Sequence, residues 1–239
     1  MNKLTVLFNE KDNSKILDVG TGNGNFITLI TQLTDKFCEI IGIDLNNASI
    51  EGCKKHFEDE RINFFKMDAL SMEFEDNSFD FVCLSNSLHH LKDIKASLSE
   101  MERVLKPGGA LVFCEMINNN LDKRQKSHVL LHHFAAEIDR ERGNFHEETF
   151  SNKQILEILK EKSSLSIKDA WDLTYPKNEK NSKEEIEWLH KTLDRIMESV
   201  KESDNFDYFE KKAEKIKLYI GKYGFDSATS LIVVLTWNY

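Results

Sequence analysis

The sequence predicts an α/β protein: a doubly wound, seven-stranded, mostly parallel sheet with a helical insertion before the last strand. Three observations carry this. Seven short apolar runs punctuate the chain, and the first five alternate with amphipathic stretches between residues 15 and 116. Those five runs are continuous in hydrophobicity, as strands covered on both faces are. A cluster of three glycines follows the first run, at the strand-to-helix step where nucleotide-binding folds place one.

The elements follow in order. KILDV (15–19) reads as the first strand, with an amphipathic helix at 23–34 behind it. CEIIGID (38–44) is the second strand and 47–58 its helix; INFFKMD (62–68) is the third strand. FDFVCLS (79–85) is the fourth. It leads to a helix on which Ile94, Leu98, Met101 and Leu105 recur at helical spacing. KPGG (106–109) stops that helix, because Pro cannot continue it and Gly accepts left-handed angles. ALVFCEM (110–116) is the fifth strand. Helices at 121–141 and 151–162 precede a sixth, LSIKDAWDL (165–173). Two strongly patterned helices come next. One carries Ile186, Leu189, Leu193, Ile196 and Val200, the other Phe206, Phe209, Ala213, Ile216 and Ile220. They are expected to form a helical hairpin over 183–222, its stripes packed together or against a second subunit in a homodimer. TSLIVVLTW (229–237) is the seventh strand. With two prolines and no linker or repeat, residues 1–239 read as one domain, in which 117–150 and 176–226 are insertions.

Composition narrows the function classes. A chain of 239 residues buries roughly 70% of the surface it exposes unfolded, enough for a real core. The formal net charge of −9 opposes nucleic-acid phosphate, and no dense Lys/Arg run offsets it, so no nucleic-acid partner is expected. No run approaches the roughly 18 apolar residues of a membrane span, and the N-terminal stretch has no leader pattern. The expected setting is cytoplasmic, without a membrane. Cys38, Cys53, Cys83 and Cys114 lack disulfide or metal-ligand spacing. They read as reduced thiols, with Cys38, Cys83 and Cys114 on buried strands.

The glycine loop then decides between nucleotides. In KILDVGTGNGNF (15–26) the glycines are Gly20, Gly22 and Gly24, flanking Thr21; a dinucleotide fingerprint wants its third glycine at 25, which is Asn25. No Gly-Lys-Ser/Thr follows, which excludes a Walker-type loop. Asp18 precedes the loop by two residues; it would be a poor neighbour for pyrophosphate and a good one for a cationic amino group and a sulfonium. Asp44 ends the second strand, where a carboxylate can accept from both ribose hydroxyls. Asp68, followed by Ala69, ends the third, where it can accept from an adenine amino group. That set suits S-adenosylmethionine (SAM), not NAD.

Four stretches in order, ILDVGTGNG, IIGIDLN, FFKMDALSMEFEDNSFDFVCLSNSLHHL and RVLKPGGALVF, resemble the class I SAM-dependent methyltransferases. The resemblance leans toward the small-molecule branch with the ubiquinone and menaquinone biosynthesis type and covers roughly residues 15–115. It implies a Rossmann-like sheet of order 3-2-1-4-5-7-6 with the last strand antiparallel. It also implies that Asp18, Gly20, Thr21, Gly22 and Gly24 hold the methionine end of SAM, Asp44 and Leu45 the ribose, and Asp68 and Ala69 the adenine. Ser85 and Asn86 would close the pocket.

The expected activity is in-line methyl transfer to an O, N or C nucleophile of a small-molecule acceptor, with S-adenosylhomocysteine as product. The alternatives are a SAM-binding protein that acts through partners or self-association, and a protein or nucleic-acid methyltransferase. SNSLHHL follows the fourth strand in place of Asn/Asp-Pro-Pro-Tyr/Phe, which argues against transfer to exocyclic base nitrogens. Ligands of doubly wound sheets lie at the carboxyl ends of the strands, so both insertions should overhang the methyl group as a lid. In HVLLHHFAAEIDRERGNFHEETF, residues His128, His132 and Asp139 fall on one flank of the helix, while His133 and Glu137 point elsewhere. That flank is the candidate catalytic group, and His89, His90 and His132 are the candidate substrate contacts. His128 and His132 stand four apart, a spacing that permits metal chelation. Local hydrogen bonding by a partly solvated helix accounts for them equally, and no metal is expected.

Overall fold

The computed structural model describes residues 2–177 and 180–237; residues 178–179, inside the expected insertion 176–226, lie outside the described residues, as do 1 and 238–239. The chain opens with α1 (Asn2–Phe8), β1 (Ser14–Val19), α2 (Asn25–Leu33), β2 (Phe37–Asp44), α3 (Asn47–His56), β3 (Ile62–Lys66) and β4 (Phe79–Ser85). A 3-10 turn at Leu88–His90 precedes α4 (Ile94–Val104) and β5 (Leu105–Met116). Then come α5 (Lys123–Glu141), α6 (Asn152–Lys162), β6 (Ser166–Leu173), α7 (Lys183–Glu198), α8 (Phe206–Tyr223) and β7 (Ser230–Thr236).

The sheet order is β3-β2-β1-β4-β5-β7-β6. Strands β1 to β5 pair in parallel, and β7 runs antiparallel to β5 and β6. The order and the reversed strand are those implied by the resemblance. Side chains alternate between the two faces, which explains why the strands are apolar throughout. Ile16, Ile40, Phe64, Phe81 and Val112 face the layer of α1, α2 and α3. Leu17, Ile41, Val82, Leu111 and Phe113 face the layer of α4 and α6. The parallel crossovers bring the carboxyl ends of β1 to β5 to one edge, which is where loops can build a site.

Beyond β5 the helices start with strong stop signals. Asp122 with Gln125, Ser151 with Gln154 and Ser182 with Glu185 each form a capping box, so two orphan backbone donors are satisfied at each helix start. The hairpin of α7 and α8 packs Leu189, Leu193, Phe209, Ile216 and Ile220 against Phe134 and Ile138 of α5. The stripes of the hairpin are thus covered within the chain. No helix among the described residues is long and apolar enough to cross a membrane.

Two expectations are corrected, and one element is added. The added element is α1, which buries Leu4, Leu7 and Phe8, with Phe8 edge-on to Phe81 at 5.2 Å. Two turns are too short to show a helical period. Cys38 is exposed, because it sits on the outward side at the start of β2. The buried third thiol is Cys53 on α3, and all four are free. The fifth strand begins at Leu105 rather than 110, so KPGG is part of an extended entry into β5 with Gly108 at φ +74°.

Candidate active site

At the carboxyl ends of β1, β2 and β3 lies a cleft of about 420 Å³. Of the residues singled out in the sequence, Gly20, Asp44, Leu45, Asp68, Ala69 and His90 line it. Ser87, Leu91, Asn144 and Phe145 also line it and were not singled out. Asp18, Thr21, Gly22, Gly24, Ser85, Asn86, His89, His128, His132 and Asp139 do not reach its lining. Leu45, Leu70 and Phe145 are large apolar side chains left exposed, and all three line this cleft.

The glycine loop is shaped by close approach. At Gly20 (φ +67°) a Cβ would stand 2.7 Å from Ser87 Oγ, and at Gly24 (φ +76°) a Cβ would stand 2.6 Å from the Phe57 ring. Both positions need a residue without a side chain, for the angle and for the space. The turn is locked onto β2, since Thr21 N–H donates to Ile43 C=O at 2.9 Å. Asp44 is oriented by two backbone donors: its Oδ2 accepts from Gly22 N–H at 2.9 Å and its Oδ1 from Asn46 N–H at 2.8 Å. Asp68 Oδ1 accepts from Leu70 N–H at 2.9 Å. Each carboxylate keeps lone pairs for a ligand on the cleft side.

Asp18 is different. It is 1% exposed, and neither carboxylate oxygen has a hydrogen-bond partner. Burial raises its pKa to about 7, against a lowering by the nearby Thr21 hydroxyl and with a smaller push from Asp44. An orphaned buried carboxylate behind a cleft fits a ligand that supplies a cationic donor. The positions expected to close the pocket do other work. Asn86 adopts φ +47° and its Oδ1 accepts from Met116 N–H at 2.8 Å, tying β4 to β5. Ser87 takes the cleft position instead, with Oγ 3.0 Å from Gly20 C=O.

Residues 17–113 match the family model for a methyltransferase domain. Over that stretch the chain is similar to the methyltransferase domain family. A demethylmenaquinone methyltransferase of Staphylococcus saprophyticus is 36% identical over 108 residues, 45% of this chain and 46% of that protein. The chain thus spans about half the length of that relative. Among solved structures, a Haloferax volcanii protein in complex with the Trm112 methyltransferase activator superposes with a TM-score of 0.61 at 15% identity, over 100% of this chain and 88% of that one. Geranyl diphosphate methyltransferase in complex with SAM gives a TM-score of 0.57 at 16% identity, over 99% and 84%. At those identities the likeness is one of fold.

Beside the cleft the histidines regroup in a way the sequence did not suggest. His128 is not with His132 and Asp139: its Nδ1 accepts from Ala228 N–H at 3.0 Å, and its ring meets Phe225 at 5.2 Å. Burial lowers its pKa to about 4. Asp139 is taken by a residue beyond the helix, His146, whose Nδ1 lies 2.7 Å from Asp139 Oδ2. His132 joins His89, His90 and His146 instead, and His90 stacks on His146 with ring centres 3.9 Å apart. Burial, reinforced by neighbouring imidazoles, lowers His90 to about 3 and His132 to about 2. His90 and His132 are therefore neutral at physiological pH. His133 and Glu137 do point elsewhere. His133 Nε2 accepts from Thr149 N–H at 3.2 Å, and Glu137 accepts from Tyr208 and pairs with Lys212.

Sequence reasoning missed His146 and Glu115. Buried Glu115 on β5 accepts Ser87 N–H at 3.0 Å and Leu88 N–H at 3.2 Å, so it fixes the turn that carries His89 and His90. Its only sequence signal was a lone acid inside an apolar strand.

Proposed function

We propose that the chain transfers a methyl group from SAM to an O, N or C nucleophile of a small-molecule acceptor by in-line displacement. The observation that carries this reading is the buried, unpartnered Asp18 carboxylate behind a cleft whose rim holds Asp44 and Asp68. SAM supplies a partner for each: an ammonium for Asp18, a ribose diol for Asp44 and an adenine amino group for Asp68. Leu45 and Ala69 offer apolar contact to the adenosine. Gly20, Gly22 and Gly24, on either side of Thr21, keep the backbone bare where the methionine end passes.

Attack on a sulfonium methyl cancels a positive charge and asks mainly for alignment. Holding two reactants in line supplies roughly 7–11 kcal/mol. The acceptor enters on the side of Asn144, Phe145 and His90, which line the cleft. His90 is the histidine that touches it, with His89 and His132 packed behind. His128 and Asp139 act at one remove, on the 228 backbone and on His146. In this reading the segment 117–150 forms the lid, and the hairpin within 176–226 supports it through α5.

Calorimetry on the full chain tests the cofactor half. SAM binds with micromolar affinity, and Asp44→Ala weakens it by at least about tenfold by removing the acceptor for both ribose hydroxyls. Unchanged affinity in that variant removes the assignment. Release of S-adenosylhomocysteine across a panel of small hydroxyl, amine and enol acceptors tests the transfer. Tight SAM binding with no release over the panel leaves a SAM-binding protein without transfer activity.

A further inference from the structure

Four imidazoles from three separate segments meet next to the cleft. His89 and His90 lie on the 3-10 turn after β4, His132 on α5, and His146 on the loop between α5 and α6. One ring nitrogen of each lies within 4.8 Å of the other three. The cluster is short of partners. Nδ1 and Nε2 of His89, Nδ1 of His132 and Nε2 of His146 are all buried without a hydrogen bond. A buried polar atom left unpaired costs about 1–3 kcal/mol, so three rings with unpaired nitrogens call for a ligand that takes one from each.

The donor set says what kind. Neutral imidazoles offer lone pairs, and they suit zinc, copper, nickel and ferrous iron. The tautomer of His146 is set for this: Nδ1–H donates to Asp139 Oδ2 at 2.7 Å, which leaves Nε2 as the free lone pair. A carboxylate behind an imidazole is the arrangement that orients metal-bound histidines and raises their basicity. Glu115 holds the second arm, gripping the turn through Ser87 N–H and Leu88 N–H, with Oε2 3.6 Å from His89 Nδ1.

We propose that His89, His90, His132 and His146 form a four-nitrogen site for a divalent transition metal of the zinc class. The metal would clamp α5 and the following loop onto the turn after β4. Bonds of about 2.0–2.1 Å bring tetrahedral ligand nitrogens to roughly 3.3 Å from one another, so the rings close in as the ion enters. The loop is already tethered there, because Glu147 N–H donates to His89 C=O at 3.0 Å. Asn144 and Phe145, just before His146, line the cleft, so the clamp fixes one wall of the acceptor side. The site stands whether or not methyl transfer is the reaction.

The test is metal binding by the full chain, stripped with a chelator and titrated with Zn²⁺ and Co²⁺. The expected result is one equivalent bound, a higher melting temperature, and a Co²⁺ visible band of four-coordinate intensity. Asp139→Asn, which keeps the shape, lowers Zn²⁺ affinity by about 10–100-fold. His90→Ala, at the exposed edge of the cluster, lowers it at least about tenfold without unfolding the chain. His56→Ala, on the exposed face of α3, leaves it unchanged. Failure of the stripped wild-type chain to take up an equivalent at micromolar Zn²⁺ overturns the proposal. So does uptake by the Asp139→Asn and His90→Ala chains that equals wild type. Because the readouts are stoichiometry and spectrum, neither outcome depends on whether an acceptor has been found.

Discussion

The two halves of this molecule are held together differently. Up to β5, the three acids in and behind the cleft are each fixed by a strand end: Asp18 by β1, Asp44 by β2, Asp68 just past β3. Beyond β5, nothing functional is built by one element. The histidine cluster takes members from the turn after β4, from α5 and from a loop, and the helices after β5 are fastened by side chains far apart in sequence. A parallel sheet positions residues by local connectivity, whereas this helical part positions them by long-range contact. The first arrangement resists change at a distance; the second depends on a few fasteners.

In the first half the largest effect belongs to Asp18, and its sign is opposite for stability and for binding. Its folded pKa of about 7 lies above its ordinary 3.8. Between those values the unfolded chain has released the proton and the folded chain still holds it. Stability without ligand therefore falls as pH rises through that window, by on the order of 4 kcal/mol in total at 1.36 kcal/mol per unit. Asp18→Asn removes the titration, so the ligand-free variant should be more stable than wild type at pH 8 and equal to it near pH 4. SAM binding runs the other way. The ammonium needs the ionised carboxylate, so wild-type affinity should fall by up to about tenfold per unit below pH 7, and Asp18→Asn should weaken it roughly 100-fold at pH 8. Thermal melts with and without SAM at the two pH values check both. A variant that binds SAM like wild type at pH 8 would move the ammonium elsewhere.

In the second half the strongest fastener is Arg124, and its effect comes next. Its guanidinium forks onto buried Asp226, Nε to Oδ2 at 2.7 Å and Nη2 to Oδ1 at 3.0 Å, and Nη2 also donates to Asn181. One side chain thus joins the start of α5, the approach to α7 and the approach to β7. Removing it leaves the Asp226 charge uncompensated. Breaking a buried pair costs about 3–5 kcal/mol, and the solvent edge of Arg124 places this one at about 2–3 kcal/mol. Arg124→Ala is therefore expected to lower stability in urea by that amount and to leave SAM affinity within about twofold, since the fork is remote from the cleft. A loss of SAM affinity in proportion to stability would break the contrast between the halves.

That contrast also explains what was legible in the sequence. The seven strands and the aspartates at the ends of β1 to β3 were readable, because period and strand-end position are local properties; the sheet order came with the family resemblance. The capping boxes at Asp122, Ser151 and Ser182 mark the helix starts in the second half just as plainly. The regrouping of the histidines was not readable. A helical wheel put His128, His132 and Asp139 on one flank, and it says nothing about which loop folds back on that flank. His146 is fourteen residues from His132, and no periodicity links them. Asn86 gives up the cleft position to Ser87 for a related reason. The positive φ at Asn86 turns its side chain back toward β5, and sequence spacing does not reveal a single left-handed residue.

The smallest effect falls where the two halves meet. Phe145 belongs to the segment after β5 by sequence and to the cleft by position, and it is 42% exposed. An exposed aromatic at the rim contributes little to folding, so Phe145→Ala should shift stability by less than about 0.5 kcal/mol. What it offers is apolar surface for a bound molecule, at about 25 cal/mol per Å² covered. If it faces the acceptor, as its place beside His90 and Asn144 argues, the loss should fall on the acceptor KM, by about three- to tenfold, with SAM affinity unchanged. If it covers the adenosine, SAM affinity should drop instead and acceptor KM should hold. Steady-state kinetics on the variant, paired with SAM calorimetry, separates the two. The first outcome keeps the lid as the acceptor half of the site, and the second gives that loop to the cofactor.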